Sequence, residues 1–313
     1  MATVWTMGEM LVEIMRPRSG LSLKEPAEFL GPYPSGAPAI FIDTVARLGH
    51  AAGIIGGVGA DDFGSCLLER LQADGVNTEF VESFAGRSTA VAFVTYFADG
   101  SRKFIYHIDG TPAAMAEFPA GRIKSMADGF HVMGCSLMVN DSFRAQIVSA
   151  AKFFHEHGAR VSFDPNIRPE LLGSRDLRTI VGPILERCSV LLPGEAELTL
   201  LSGIDDLRQA AAVLFEAWPL ELIVLKSGKR GSTIFSRDKE TRIPAFKIKE
   251  VDPTGAGDCF DAAFLCGFLD GKELEQCGQM AAAAGALNAS ALGPMEGEIS
   301  PSSIARVIKE NRT

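Results

Sequence analysis

The second half of this chain repeats one unit: a short apolar run that ends in a polar cluster and leads into a helical stretch. From residue 129 onward the apolar runs are Gly129 to Met133, Val161 to Phe163, Ser189 to Leu192 and Leu220 to Leu225. Between them lie helical stretches at Phe143 to Gly158, Leu177 to Arg187 and Leu207 to Ala217. Strand–loop–helix units in series predict an α/β fold with a three-layer, doubly wound, mostly parallel sheet. Such a fold binds its ligands at the C-terminal strand ends. The clusters Asp164 to Pro169, Pro193 to Glu197 and Lys226 to Ser232 all fall there. Loops are polar anyway, so this placement suggests a cleft without naming its chemistry.

The first half is less regular. Thr3 to Met7 reads as a buried strand, Gly8 as a turn, and the following residues as an extended segment carrying Glu9 and Glu13. Ile40 to Leu48 is expected as a helix stopped by Gly49, Ala51 to Val58 as a strand, residues 65–73 as a helix, and Gly75 to Val81 as the approach to another strand. Residues 88–108 read as a β-hairpin around Asp99-Gly100. With residues 9–34 this hairpin makes a small separate sheet, either a lid or a surface for a homodimer. Residues 1–313 are therefore taken as one domain, with lid segments at 9–34 and 88–110.

Composition removes several function classes. A net charge of −9 with no basic tract argues against nucleic acid as partner. The six cysteines (Cys66, Cys135, Cys188, Cys259, Cys266, Cys277) include no CxxC and sit among apolar or small residues, as reduced core cysteines do. His155 and His157 read as a helix end rather than a metal site. No apolar run approaches a membrane span, and the first residues lack a basic leader, so a cytoplasmic enzyme is expected.

The most chemically specific stretch is Val251 to Leu265. Phe246, Ile248 and Val251 suggest a short strand, and apolar residues after Asp258 continue as a buried helix to Leu269. Between them Gly255-Ala256-Gly257 carries no bulk, so backbone N–H groups can converge at a helix N-terminus, where the dipole favours an anion. Asp258 falls in the first turn beside that point. The pair suits phosphoryl transfer to an alcohol. The same residues also read as a tight turn followed by a favourable charge on the helix dipole. Two commoner nucleotide motifs are missing. Gly57-x-Gly59 is followed by Asp62 where a third glycine would stand, and neither Gly228-Lys229 nor Gly271-Lys272 is followed by Ser or Thr.

At these residues the chain resembles a known family. Asp252-Pro253-Thr254-Gly255-Ala256-Gly257-Asp258 resembles the second signature of the PfkB (ribokinase-like) carbohydrate kinases. Gly36-Ala37-Pro38-Ala39 and the run from Gly56 to Gly64 resemble the first signature region. Asp164-Pro165-Asn166-Ile167-Arg168-Pro169 resembles a segment of the fructokinase and 2-keto-3-deoxygluconate kinase branches. The resemblance implies a ribokinase-like sandwich with a small β lid, and an ATP-dependent sugar kinase. Asp258 matches the catalytic base, and the N–H groups of Gly255, Ala256 and Gly257 match the anion hole. Lys226, Ser227, Gly228 and Gly231 match the nucleotide side. Asn288 either lines the adenine pocket or makes an interhelix hydrogen bond. Glu197 matches a glutamate that organises Mg²⁺ through water, although Gly194 replaces the usual asparagine of that motif. Asp252 matches a position flanking a monovalent-cation site in some members, so K⁺ joins ATP and Mg²⁺ among the expectations.

For the acceptor, Glu13, Gly36, Ala37, Tyr106 and Arg168 are the expected substrate residues. Glu13 stands where many members carry Asp, and Ile40 where they carry Asn. Arg168 matches a residue that faces the carboxylate in sugar-acid kinases. The lid tyrosine and arginine of those enzymes correspond to Ala92 and His107, which favours a neutral hexose such as fructose over a keto-deoxy sugar acid. A nucleoside acceptor, stacked on Phe93, Tyr96 and Tyr106, is a further alternative. A non-catalytic sugar or nucleotide sensor is disfavoured by the intact Gly255–Asp258 run, and an oxidoreductase by the missing dinucleotide fingerprint.

Overall fold

A computed structural model describes residues 1–97, 101–124 and 126–311. The strands are β1 (Thr3–Met7), β2 (Leu11–Met15), β3 (Leu30–Ser35), β4 (Ala51–Gly59), β5 (Asn77–Phe84), β6 (Ala90–Tyr96), β7 (Arg102–His107), β8 (Gly129–Met133), β9 (Arg160–Asp164), β10 (Cys188–Leu191), β11 (Leu222–Lys226), β12 (Ser232–Phe235) and β13 (Glu240–Ile243). The helices are α1 (Ala37–Arg47), α2 (Asp62–Ala73), α3 (Gly134–Leu137), α4 (Asp141–Glu156), α5 (Pro169–Leu172), α6 (Leu177–Leu185), α7 (Glu195–Ser202), α8 (Leu207–Ala217), α9 (Ala256–Leu269), α10 (Leu274–Ala289) and α11 (Pro301–Glu310).

Nine strands form one sheet in the order β13-β12-β11-β10-β9-β8-β1-β4-β5. From β11 to β5 every pairing is parallel; β12 and β13 close one edge antiparallel. Alternation along β11 shows how the layers are made. Leu222 and Val224 pack with Phe260 and Phe264 of α9, whereas Ile223 and Leu225 pack with Leu198 and Leu214 of α7 and α8. Successive side chains of a strand point to opposite faces, so apolar residues at every position require a helical layer on each side. This is the expected three-layer α/β arrangement. Among the described residues no helix is long and apolar enough to cross a membrane.

A second sheet, in the order β3-β2-β6-β7, stands apart from the first. It is assembled from the two segments read as a lid, and its inner face covers the ends of β1, β9 and β11. The turn placed at Asp99-Gly100 lies outside the described residues.

Three expectations need correction. The strand expected through Phe246, Ile248 and Val251 is absent: residues 244–250 make no ladder, and Ile248 and Val251 are exposed. Pro244 follows β13 directly and has no N–H to donate, so pairing stops there. The apolar side chains of the segment instead wall a cavity beside α9. Helix α1 begins at Ala37 rather than Ile40, with Pro38 in its first turn, where a missing N–H costs nothing. Helix α2 begins at Asp62 because Asp61 caps it, its Oδ1 accepting from the Gly64 N–H at 2.8 Å.

Candidate active site

The N-terminus of α9 is the centre of the site. Its N-cap, Gly255, has φ 77°, and a Cβ there would stand 2.4 Å from the Pro294 carbonyl oxygen. Only glycine fits. No side chain caps the helix. The Ala256 N–H turns back to the Pro253 carbonyl at 3.3 Å, while those of Gly255, Gly257 and Asp258 find no acceptor among the described residues. Free N–H groups at the positive end of a helix dipole form a cradle for an anion.

Asp258 follows immediately and is buried. The Asn166 side-chain amide donates to its Oδ1 at 3.3 Å. Burial, then the charge of Asp164, pushes its carboxyl up to about 7, against the pull of Lys226 and Arg168. A carboxylate with that affinity for a proton can accept one near neutral pH.

Asp258 opens into a cavity beneath the lid, where Gly36, Ala37, Ile40 and Tyr106 supply wall and Glu13 and Arg168 supply charge. Glu13 Oε2 accepts from the Ser35 hydroxyl at 3.1 Å, while its buried Oε1 has no partner. Burial and Asp252 raise Glu13 to about 7. Arg168 is half-buried and makes no ion pair among the described residues. On β7 the strand alternation puts Arg102, Phe104 and Tyr106 toward the cavity, and His107 is exposed on the other face. The lid thus does present an arginine and a tyrosine, Arg102 and Tyr106. His107, expected at the cationic position, faces away, and the lid cation that lines the cavity is Arg102, five residues earlier; Ala92 does line the cavity.

A second cavity runs along the other side of the cradle, walled by Gly228, Gly231, Phe246, Phe260 and Ala286. Gly231 has φ 93°, and a Cβ would meet the Ile243 carbonyl oxygen at 2.0 Å, so the backbone turns tightly at its rim. Lys226, Pro253 and Gly257 line both cavities. Two residues expected on the nucleotide side lie elsewhere. Ser227 lines a separate surface groove with Glu195 and Arg230. Asn288 is fully buried behind the cradle, where its amide donates to the loop carbonyls of Thr254 at 2.7 Å and Pro294 at 3.0 Å; it ties α10 to two loops rather than to another helix.

Lys226 stands at the junction of the cavities. Its Nζ donates to Asp164 Oδ2 at 2.9 Å and to both oxygens of Asp261 at 2.9 and 3.1 Å. It also lies 4.0 Å from where a Cβ on Gly257 would be. Lys226 holds Asp164 below the usual carboxylate range, while burial holds Asp261 above it.

Glu197 is committed to the backbone: Oε1 accepts from Ile167 N–H and Oε2 from Gly194 N–H, each at 2.8 Å. It still lines the first cavity, and each carboxylate oxygen keeps a second lone pair. The described residues contain no cluster of three or more acidic, His or Cys side chains that could hold a metal directly. The free lone pairs of Glu197 leave it able to face an ion, directly or through water. Asp252 is fuller still: Tyr96 Oη and the N–H groups of Thr254 and Gly293 donate to it at 2.8, 3.0 and 3.1 Å.

Sequence reasoning missed Glu9, which lines the first cavity and accepts from the Cys135 thiol at 3.1 Å and from the Ser136 hydroxyl. It also missed Asn166, Asp261 and Arg102. Asp261 carried a signal, because it lies three residues after Asp258 in a helix otherwise apolar from Cys259 to Leu269.

Comparison with known proteins agrees with this geometry. Residues 1–300 match the model of the pfkB family of carbohydrate kinases. Fructokinase-1 of Oryza sativa subsp. japonica is 34% identical over 301 residues, covering 93% of this chain and 92% of that one. An E. coli protein designated ribokinase II, in its apo form, superposes with a TM-score of 0.93 and 36% identity over 99% of this chain and 100% of that one. The complex of that protein with ATP and Mg²⁺ gives 0.90 and 36% over the same shares.

Proposed function

The chain belongs to the pfkB family of carbohydrate kinases, and from that premise we propose that it is an ATP-dependent sugar kinase of the fructokinase kind, moving the γ-phosphoryl group of ATP onto a sugar hydroxyl. One observation carries the reading: an open anion cradle and a buried carboxylate of raised proton affinity meet where two cavities join.

In this reading the sugar lies under the lid and the nucleotide in the slot along α9. The acceptor hydroxyl hydrogen-bonds to Asp258, which takes its proton as the oxygen–phosphorus bond forms. The bond from the γ-phosphorus to the β–γ bridging oxygen breaks, and the electron pair leaves with ADP. Because the phosphoryl transition state is loose, proton transfer is late and Asp258 orients the hydroxyl before it accepts. The cradle N–H groups face the charge on the moving phosphoryl, and Lys226 adds a cation at the same junction. A magnesium ion held through water by Glu197 would supply further neutralisation of the phosphates. Asp252 Oδ1 already has two donors and Oδ2 one, so its carboxylate would offer a K⁺ ion at most the remaining lone pair of Oδ2.

A neutral hexose is the first acceptor, supported by the fructokinase relatives. A sugar acid is second, favoured by Arg168, a half-buried cation without a carboxylate partner, with Arg102 in the same cavity. ADP release should be measured with fructose, ribose, 2-keto-3-deoxygluconate, adenosine and a sugar phosphate, with and without K⁺. Highest turnover on fructose is expected. Preference for the keto-deoxy acid would establish the second reading, and absence of ADP with every acceptor would overturn both.

A further inference from the structure

Thr254 precedes the cradle, and each of its polar groups is held. Its N–H donates to Asp252 Oδ1 at 3.0 Å, and its carbonyl accepts from Asn288 Nδ2 at 2.7 Å. Both partners belong to the main body. Its hydroxyl is held from the lid, by Tyr96 Oη at 2.9 Å and Arg102 Nη1 at 3.3 Å. The directions of these bonds can be assigned. Tyr96 has one hydroxyl proton and donates it to Asp252 Oδ1 at 2.8 Å. The Thr254 hydroxyl must then donate to Tyr96 Oη and accept from Arg102, which can only donate. A single directed chain results, from Arg102 through Thr254 and Tyr96 to Asp252.

Tyr96 ends β6, and Arg102 begins β7, so both stand on the sheet that covers the acceptor cavity. On the other side, Thr254 adjoins Gly255, whose left-handed conformation aims the open N–H groups. We propose that Tyr96 is a positioning residue: through the Thr254 hydroxyl and Asp252 it fixes the turn that forms the anion cradle, so that the cradle takes its reacting shape only with the lid seated over the acceptor. Tyr96 need touch neither sugar nor nucleotide. Its effect falls on the step in which the cradle is used, because displacing a preorganised donor by a fraction of an ångström weakens transition-state binding more than ground-state binding.

The proposal rests on the kinase reading, and its test separates the two. Tyr96→Phe removes one oxygen and keeps the ring. It is expected to lower kcat by about 10–100-fold, with KM for ATP and the melting temperature little changed. Thr254→Val should give a similar loss, and Thr254→Ser, which keeps the hydroxyl, should retain most activity. Tyr96→Phe combined with Thr254→Val should fall no further than the worse single variant, because both cut one chain. Unchanged kcat in Tyr96→Phe would overturn the proposal, as would multiplying effects in the double variant. Loss of activity that merely tracks a lower melting temperature would overturn it as well, by making the tie structural. Should Thr254→Val not fold, the contrast between Tyr96→Phe and Thr254→Ser decides alone. An unsubstituted protein that forms no ADP with any acceptor defeats the kinase reading itself, and the proposal with it.

Discussion

Asp258→Asn should lower kcat by about 10²–10⁴-fold, with the fold and ATP binding intact. The substitution keeps size and a hydrogen-bonding oxygen for the Asn166 amide, but an amide cannot take the acceptor's proton. Its neighbours make the effect specific. Burial and Asp164 hold the carboxyl at about 7, so near neutral pH it exists in both forms, and only the ionised form is a base. In the unsubstituted enzyme kcat/KM should therefore fall as pH drops through about 7. Initial rates of ADP formation between mildly acidic and alkaline pH measure both effects. Normal turnover by Asp258→Asn, or a flat acid limb, would remove Asp258 from the role of base.

Lys226→Met should cost about 3–5 kcal/mol of stability, because it strips the cation from two carboxylates fully buried behind the cradle. For a chain of this size the melting temperature should fall by roughly 5–8 °C, read by calorimetry or circular dichroism. The loss follows from charge rather than packing, which a second change tests. Lys226 keeps Asp164 ionised, whereas burial already favours the protonated form of Asp261. Adding Asp164→Asn to Lys226→Met should thus regain much of the stability, with Asn still accepting from the Asn166 N–H. A Lys226→Met protein as stable as the original would show that water, not Lys226, balances the pair.

The fold was largely readable in the chain because its signal is repetitive. Gly129–Met133 and Leu207–Ala217 form the elements expected of them, and the strand-end clusters do border a cleft. The failures share a physical origin. Apolar Phe246, Ile248 and Val251 look like a strand, yet composition cannot say whether a neighbour is available to pair with them. His107 and Tyr106 are adjacent on β7, and a one-residue change of phase swaps the face each presents. Asn288 was placed on a helix correctly, but whether a helical amide meets ligand or loop depends on the turn at Gly293 to Gly297 that folds back over it. Asp261 was passed over because an isolated acid in an apolar helix has meaning only beside Lys226, which is 35 residues away in sequence.

Three buried carboxyl groups also set the conditions under which the protein lasts. Glu13 and Asp258 are held near 7, and Asp43, buried on α1 where it faces Arg70 of α2, near 8. A carboxyl whose folded pKa exceeds its unfolded value adds stability that is complete below the unfolded value and disappears as pH climbs through the folded one. For these three groups the loss spans about pH 4 to 8. The proposed role of Asp258 as proton acceptor would need the upper part of that range. The enzyme should therefore be hardiest in mildly acidic buffer and most active where it is less robust, a separation visible by plotting melting temperature and turnover against pH on the same axis. Coincident maxima would show that other groups dominate its proton balance.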